Sequence, residues 1–301
     1  MFEKVNPCHP DKVADRLAGA VVDLVYERAG GLAKANPRVA VEVLAGHGKV
    51  DVQIETSLGR VELRAKDIDP LIHRIFGEVD SHVLIAPQDV HLSDNQTHGL
   101  RCGDNGIFKG CPTTNEQKLL ADIAGGIYER WPYDGKYIIH TRPKTHEYFL
   151  TVCQSHTGDD DFQTYDEVRS ILTPRMEMTH YDLIEKINPL GPWTGGINVD
   201  CGATNRKLGS DMGDAVTGGG LMGKDLSKDD VSVNIVCHLK AVASGQVVTA
   251  ICSIGDENVT FTYADGKTET ERFADIVEQA REYIQRIGGF EKFAEWGLIR
   301  P

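Results

Sequence analysis

The chain has 301 residues and a formal net charge of -13, from 45 acidic residues against 32 Lys and Arg. Such a balance, with no basic tract, repels polynucleotide phosphate and excludes nucleic acid as an expected partner, although a local cluster of lysines can still receive a small anion. No apolar run reaches the ~20 residues that span a bilayer, MFEKVNPCHPDK lacks a signal-peptide core, and the seven scattered cysteines form neither a disulfide framework nor a zinc pair, so the expectation is a cytoplasmic protein with no membrane partner.

His9-Pro10-Asp11-Lys12 opens the first helix, with proline suited to the first helical position and Asp11 to the positive end of the dipole. Val13, Leu17, Val21, Leu24 and Val25 carry one buried face to about Arg28, and Asp11 and Asp15 lie one turn apart on a shared face. Arg38 to Ala45 and Lys49 to Ser57 read as two strands around the turn Gly46-His47-Gly48. Glu42, inside the apolar run VAVEVLA, calls for a cation or basic group unless it is a surface residue near a strand end. Asp67 to Val79 reads as a helix, and His82 to Ala86 as a short buried strand.

Pro87 to Cys111 is a polar loop containing Gln96 and Gly103-Asp104-Asn105-Gly106, where Asp104 is either a plain turn residue or a carboxylate presented to a ligand. A helix from Asn115 to about Arg130 follows, then strands Tyr137 to His140 and Tyr148 to Cys153 around a basic bend at Arg142, Pro143 and Lys144. Tyr165 to Leu172 and Tyr181 to Ile187 look helical. Ile187 to Lys207 is glycine- and proline-rich and carries Trp193, a ligand platform or a loop anchor, together with Asp200 and the pair Arg206-Lys207. Asp230 to Ala243 is ambiguous between helix and strand. Two strands lie between Val247 and Tyr263, a helix spans Glu271 to Ile287 with Thr270 as a plausible N-cap, and a last short helix starts at Phe290. The recurrence of helix, strand pair and helix predicts an α+β fold of several similar units, not a doubly wound parallel sheet.

The stretch GGGLMGKDLSKDD, Gly218 to Asp230, is where a backbone can approach phosphate closely, with Lys224 and Lys228 adding charge and Asp230 able to hold a metal ion. A flexible surface loop is the plain alternative. The match to a P-loop fails at Asp225, which stands where a magnesium-binding Ser or Thr belongs.

HPDK at His9, GDNG at Gly103, DCGATNRK at Asp200 and GGGLMGKDLSKDD together resemble methionine adenosyltransferase, also called S-adenosylmethionine synthetase, whose blocks read HPDK, GDQG, DCGLTGRK and GGGAFSGKD-x-SK-x-D in the same order. The resemblance implies a pseudo-threefold arrangement of sheet-plus-helix subdomains, approximately 1–111, 112–187 and 188–301. It also implies synthesis of S-adenosylmethionine from L-methionine and ATP, with triphosphate released and cleaved to phosphate and pyrophosphate. By similarity His9 sits at the oxygen between ribose carbon and phosphates, and Lys144, Arg206, Lys207 and Lys224 hold the polyphosphate, with Gly220 also at ATP. Asp104 would hold the adenosine, Trp193 would stack on adenine, and Glu55, Gln96, Asp200 and Lys228 would lie near the methionine. Asp11 and Asp230 would each help bind Mg2+ (two ions), Glu42 would bind an activating K+, and a homodimer would form the sites between its subunits. The chain departs from the pattern in a gating loop cut to THGLRC, in GDNG for GDQG, and in Cys8 before His9, which predicts an open site with weak product inhibition. The rival readings are another ATP-dependent transferase and a catalytically silent relative that binds nucleotide.

Overall fold

A computed structural model describes residues 1–59, 61–89, 91, 105–142, 144–155, 164–177, 179–253 and 255–301. Among these residues the architecture is α+β, with three four-stranded sheets, and no helix is long and apolar enough to cross a membrane. Each sheet buries one face under helices, the arrangement that alternating apolar and polar strand residues require.

The first sheet has the order β4-β3-β2-β9, from β2 (Val39–Gly46), β3 (Lys49–Thr56), β4 (Asp80–Pro87) and β9 (Gly202–Ala203). Strands β2 and β3 form the expected antiparallel hairpin, and β4 runs parallel to β3. Helices α1 (Pro10–Arg28) and α2 (Ala65–Phe76) share its core, where Val41, Val43, Val52 and Ile54 meet Leu17, Val21 and Ile68. The second sheet, β1-β6-β7-β8, joins β1 (Phe2–Val5) to β6 (Gly135–Arg142), β7 (Glu147–Gln154) and β8 (Asp182–Ile187), under α3 (Asn115–Arg130) and α4 (Thr164–Glu177). The third, β12-β11-β10-β5, joins β5 (Asn105–Gly110) to β10 (Val248–Ser253), β11 (Asn258–Tyr263) and β12 (Thr268–Arg272), under α6 (Asp229–Ser244) and α7 (Phe273–Ile287). The short α5 (Leu208–Met212) and the last helix, α8 (Phe290–Trp296), close the molecule, with α8 lying against α1.

Four expectations need correction. Tyr181 to Ile187 is not helical: Asp182–Ile187 pairs parallel with β7. Its spacing Leu183, Ile184, Ile187 suits a helix locally, but the strand turns Leu183, Glu185 and Ile187 inward, and Arg169 on α4 meets Glu185 at 3.3 Å. The strand around His82 is an exposed sheet edge, with Leu84 50% exposed, and not a buried strand. Thr270 lies inside β12 opposite Thr260, and Arg272 is the N-cap residue of α7. The polar stretch before Cys111 contributes β5, whose Ile107 faces solvent, so only half of its apolar pattern is buried.

A buried charge cluster knots these units together. Lys12, fully buried, lies 2.7 Å from Asp211 Oδ1 and 3.0 Å from Asp15 Oδ2. Burial alone pulls the Lys12 ammonium down, but Asp211 and Asp15 outweigh it and raise its pKa. Burial, reinforced by the neighbouring Asp211 charge, pushes the Asp15 carboxyl up to about 6 even though Lys12 opposes. Replacing Lys12 with Met removes the ammonium that the two buried carboxylates share. Urea unfolding of that variant is expected to show a loss of roughly 3–5 kcal/mol.

Candidate active site

The N-terminus of α1 and the segment Gly202 to Lys207 are built against each other. His9 caps the helix, its Nδ1 accepting the Asp11 N–H at 3.2 Å. Gly202 lies so close that a Cβ there would stand 2.0 Å from the Pro10 carbonyl oxygen, which only glycine permits. Asp11, 3% exposed, accepts the Ala203 N–H at 3.0 Å, and Asp15 accepts the Asn205 N–H at 2.8 Å. The two carboxylates one helical turn apart therefore hold the segment that carries the cation pair. Arg206 Nε is 3.4 Å from Asp11 Oδ1, and Lys207 Nζ is 3.9 Å from its Oδ2.

His9, Asp11, Trp193, Asp200, Arg206 and Lys207 line one cleft of about 580 Å³, shared with Asp134, Lys136 and Cys153. Burial, then the charges of Lys207 and Lys136, lowers the His9 pKa to about 3. The imidazole is therefore neutral near pH 7. With Nδ1 accepting from Asp11, the ring proton belongs on Nε2, where it is available as a donor. Trp193 is half-buried and donates from Nε1 to Asn188 Oδ1 at 3.3 Å, so the indole is anchored and still lines the cleft. Asp200 is exposed and accepts the N–H of Cys201.

Sequence reasoning missed Asp134 and Lys136. Lys144 stands on the exposed turn between β6 and β7 and does not line the cleft. The cleft takes its third cation from Lys136 on β6, which lies 2.8 Å from Glu3. Asp134 is 8% exposed: Oδ2 accepts the Gly196 N–H at 2.9 Å, while Oδ1 has no hydrogen-bond partner among the described residues. Burial, reinforced by Asp200 and Asp11, raises its carboxyl to about 6. The available signal was Asp134-Gly135-Lys136, a carboxylate and an ammonium two residues apart at a strand start, where alternation places both on one face.

The glycine-rich run lies elsewhere. Gly223 has φ 78°, and its carbonyl accepts the Val41 N–H at 2.7 Å; a Cβ there would come within 2.3 Å of Val41 O. Lys224 and Asp230 pair at 2.5 Å. Gly218, Gly219 and Asp230 line a second concavity of about 560 Å³ with Gly106 and Phe108. Gly220 packs against the side chain of Asn205. Lys228, the N-cap residue of α6, borders a small crevice with Glu55 and Gln88. Glu42 is mid-strand and exposed, not a buried carboxylate, and it accepts the Thr204 hydroxyl. Gln96, Asp104 and the shortened THGLRC loop lie outside the described residues.

Among the described residues no three His, Cys, Asp or Glu side chains converge as a metal cage. Mg2+ commonly takes one or two carboxylates together with phosphate oxygens, and Asp11 and Asp230, each beside phosphate-compatible cations, fit that use. Glu42 offers K+ a single carboxylate beside the Thr204 hydroxyl.

No protein-family model matches the chain. An S-adenosylmethionine synthase of Salinibacter ruber is 30% identical over 311 residues, covering 89% of this chain and 78% of that protein. The S-adenosylmethionine synthase of Pelagibacter ubique is also 30% identical, over 98% of this chain and 91% of its own length. An unusual S-adenosylmethionine synthetase from Campylobacter jejuni has the same fold, with a TM-score of 0.70 at 19% identity over 99% of this chain and 93% of that one. With relatives of that identity aligned along most of its length, the chain belongs to the S-adenosylmethionine synthase family.

Proposed function

We propose that the protein joins L-methionine and ATP to form S-adenosylmethionine. The observation that carries this reading is His9, its Nδ1 held by the Asp11 N–H and its ring lining one cleft with Asp11, Lys136, Arg206 and Lys207. The methionine sulfur attacks the 5′ carbon of ATP and becomes a sulfonium, so no proton has to be removed. The carbon–oxygen bond breaks and the triphosphate leaves with the electron pair, to be hydrolysed to phosphate and pyrophosphate. His9 Nε2 donates a hydrogen bond to the departing oxygen as its charge grows, and Arg206, Lys207 and Lys136 stabilise the spreading negative charge. Each such cation at ~4 Å contributes roughly 4 kcal/mol at an effective dielectric of ~20.

Lys136 takes the phosphate role that the sequence had suggested for Lys144. Lys224 and Gly220 serve the polyphosphate from the glycine-rich run. Trp193 and Asp104 serve the adenosine, and Glu55, Gln96, Asp200 and Lys228 the methionine. When bound, Mg2+ held by Asp11 and Asp230 would neutralise phosphate charge, and K+ at Glu42 would brace the Thr204 segment. The cytoplasm is the compartment proposed.

A homodimer follows from the same reading. His9, Arg206 and Lys207 line one concavity, Gly218, Gly219 and Asp230 another, and Lys228 a third. A triphosphate that needs all these groups would lie where two copies meet. The apolar residues on open sheet faces, Leu44 and Leu84 on the first sheet and the opposed Ile107 and Ile251 on the third, are suited to burial against a second chain.

Three measurements test this reading. Incubation with ATP, methionine, Mg2+ and K+ should yield S-adenosylmethionine and phosphate by chromatography; ADP or AMP instead would point to another ATP-dependent transfer. In that assay Lys136→Ala and Lys207→Ala should each lose about 10²–10³-fold in kcat/KM, whereas Lys144→Ala stays within about twofold; the reverse pattern would return the role to Lys144. Mixing inactive Lys207→Ala and Lys224→Ala chains, unfolded and refolded together, should restore about a quarter of the activity, because half the dimers are mixed and each carries one intact site. No recovery would mean that each site is built from one chain.

The His9 assignment has its own pH signature. An unfolded imidazole takes up its proton near pH 6.5, while the folded His9 does so only near 3. Between those values the unfolded state binds the extra proton, so His9 makes the fold less stable as pH falls. Nitrogen-detected NMR should show a neutral ring protonated on Nε2 down to about pH 4, and an imidazolium at pH 6 would defeat the proposed donor role.

A further inference from the structure

The segment bearing Arg206-Lys207 and the glycine-rich run meet at one side chain, Asn205. Its backbone has φ 62°, a left-handed conformation that asparagine tolerates better than most residues. Its main-chain N–H is held by Asp15 at 2.8 Å, which ties it to α1. Its side-chain amide then binds the main chain of Met222 in both directions: Nδ2 donates to the Met222 carbonyl at 3.1 Å, and Oδ1 accepts the Met222 N–H at 2.9 Å. The same amide packs on Gly220, where a Cβ would come 2.4 Å from Asn205 Cγ.

Met222 stands between two differently held stretches. On its far side, Gly223 and Lys224 lie along β2 through the Val41 N–H and the Ala40–Lys224 bridge. On its near side, Gly218 and Gly219 border the second concavity and make no such strand contact among the described residues. The Asn205 amide thus acts as a strand partner for one residue, supplying the donor and the acceptor that a buried peptide needs. In the DCGLTGRK pattern that this segment resembles, glycine occupies the place, so the amide belongs to this chain's own version of the site.

We propose that Asn205 is a positioning residue, clamping the glycine-rich run to the cation-bearing segment so that both are arranged before a polyphosphate arrives. The proposal rests on the polyphosphate reading above. A loop already held in its binding conformation loses less freedom on association, so the clamp should appear as affinity for the polyphosphate itself.

Asn205→Gly keeps the left-handed backbone accessible and removes only the amide. Two quantities are read: calorimetric affinity for magnesium tripolyphosphate, and hydrogen exchange of peptides covering residues 218–224. The expected result is about 5–20-fold weaker binding and at least about tenfold faster exchange at the Met222 amide. Ile123→Val, which trims the second core on α3, should lower the melting temperature and leave both readouts unchanged. Asn205→Asp, read by exchange alone, keeps the acceptor for the Met222 N–H and should fall between the wild type and Asn205→Gly. Affinity within twofold of wild type, or unchanged exchange, in Asn205→Gly would overturn the clamp. If the wild-type chain itself fails to bind magnesium tripolyphosphate, the polyphosphate reading fails instead, and the exchange comparison still decides whether the amide holds the loop.

Discussion

A single buried ammonium, that of Lys12, sets the positions of most parts that matter. Its two carboxylate partners lead in different directions. Asp211 on α5 also accepts, through its main-chain oxygen, the N–H groups of Leu298 and Ile299, which brings the end of the chain back to the first helix. Lys4 on β1 joins the cluster by donating to the carbonyls of Ser210 and Trp296, with its own pKa drawn down to about 7 by burial while Asp211 resists. Asp15 reaches the other way, to the main chain of Asn205. Charges buried this deeply contribute little net stability when intact and cost much when one partner is lost. Their effect is positional: the first sheet, the second sheet and the cation-bearing segment share one fixed point.

From that point the cleft and the glycine-rich run inherit balanced charge. Each cation already has a carboxylate: Arg206 and Lys207 face Asp11, Lys136 faces Glu3, and Lys224 faces Asp230. On a chain with net charge -13 this pairing keeps the cations from being drawn elsewhere. Under the proposed function, a polyphosphate spanning the cleft and the glycine-rich run would replace those carboxylates as the partner of the cations, leaving Asp11 and Asp230 free to face a divalent ion. Two carboxylates on separate segments, with no metal cage converging on them among the described residues, suit an ion that arrives with the phosphate rather than one resident in the protein.

The residues of the candidate site were legible through the resemblance of four blocks to the S-adenosylmethionine synthetase pattern, and parts of its backbone through glycine and proline, which constrain the chain locally. Proline after His9 sets the helix start whatever surrounds it, and Gly202 and Gly223 mark close approaches that no side chain allows. Strand β8 was not legible, since its apolar spacing fits a helix and its strand state depends on parallel pairing with β7 and on Arg169 meeting Glu185. Lys144 was assigned by the family resemblance alone, since a basic bend by itself is ordinarily just solvated. Which lysine enters the cleft is decided by the register of β6, where Lys136 pairs opposite Cys153 at the cleft wall. Glu42 looked buried because its neighbours are apolar, but strand alternation turns it to the open face.

The path from Asp15 through Asn205 to Met222 has a consequence that depends on how the site is completed. Within one chain it joins the cation pair of the first cleft to the glycine-rich run of the second concavity. If each catalytic centre were assembled within one chain, this path would only brace that centre. If two copies share their sites, the cation pair of a chain serves one centre and its glycine-rich run serves the other. The same three hydrogen bonds then connect two centres, and ordering the run by ligand at one bears on the cations of the other through a short covalent and hydrogen-bonded route.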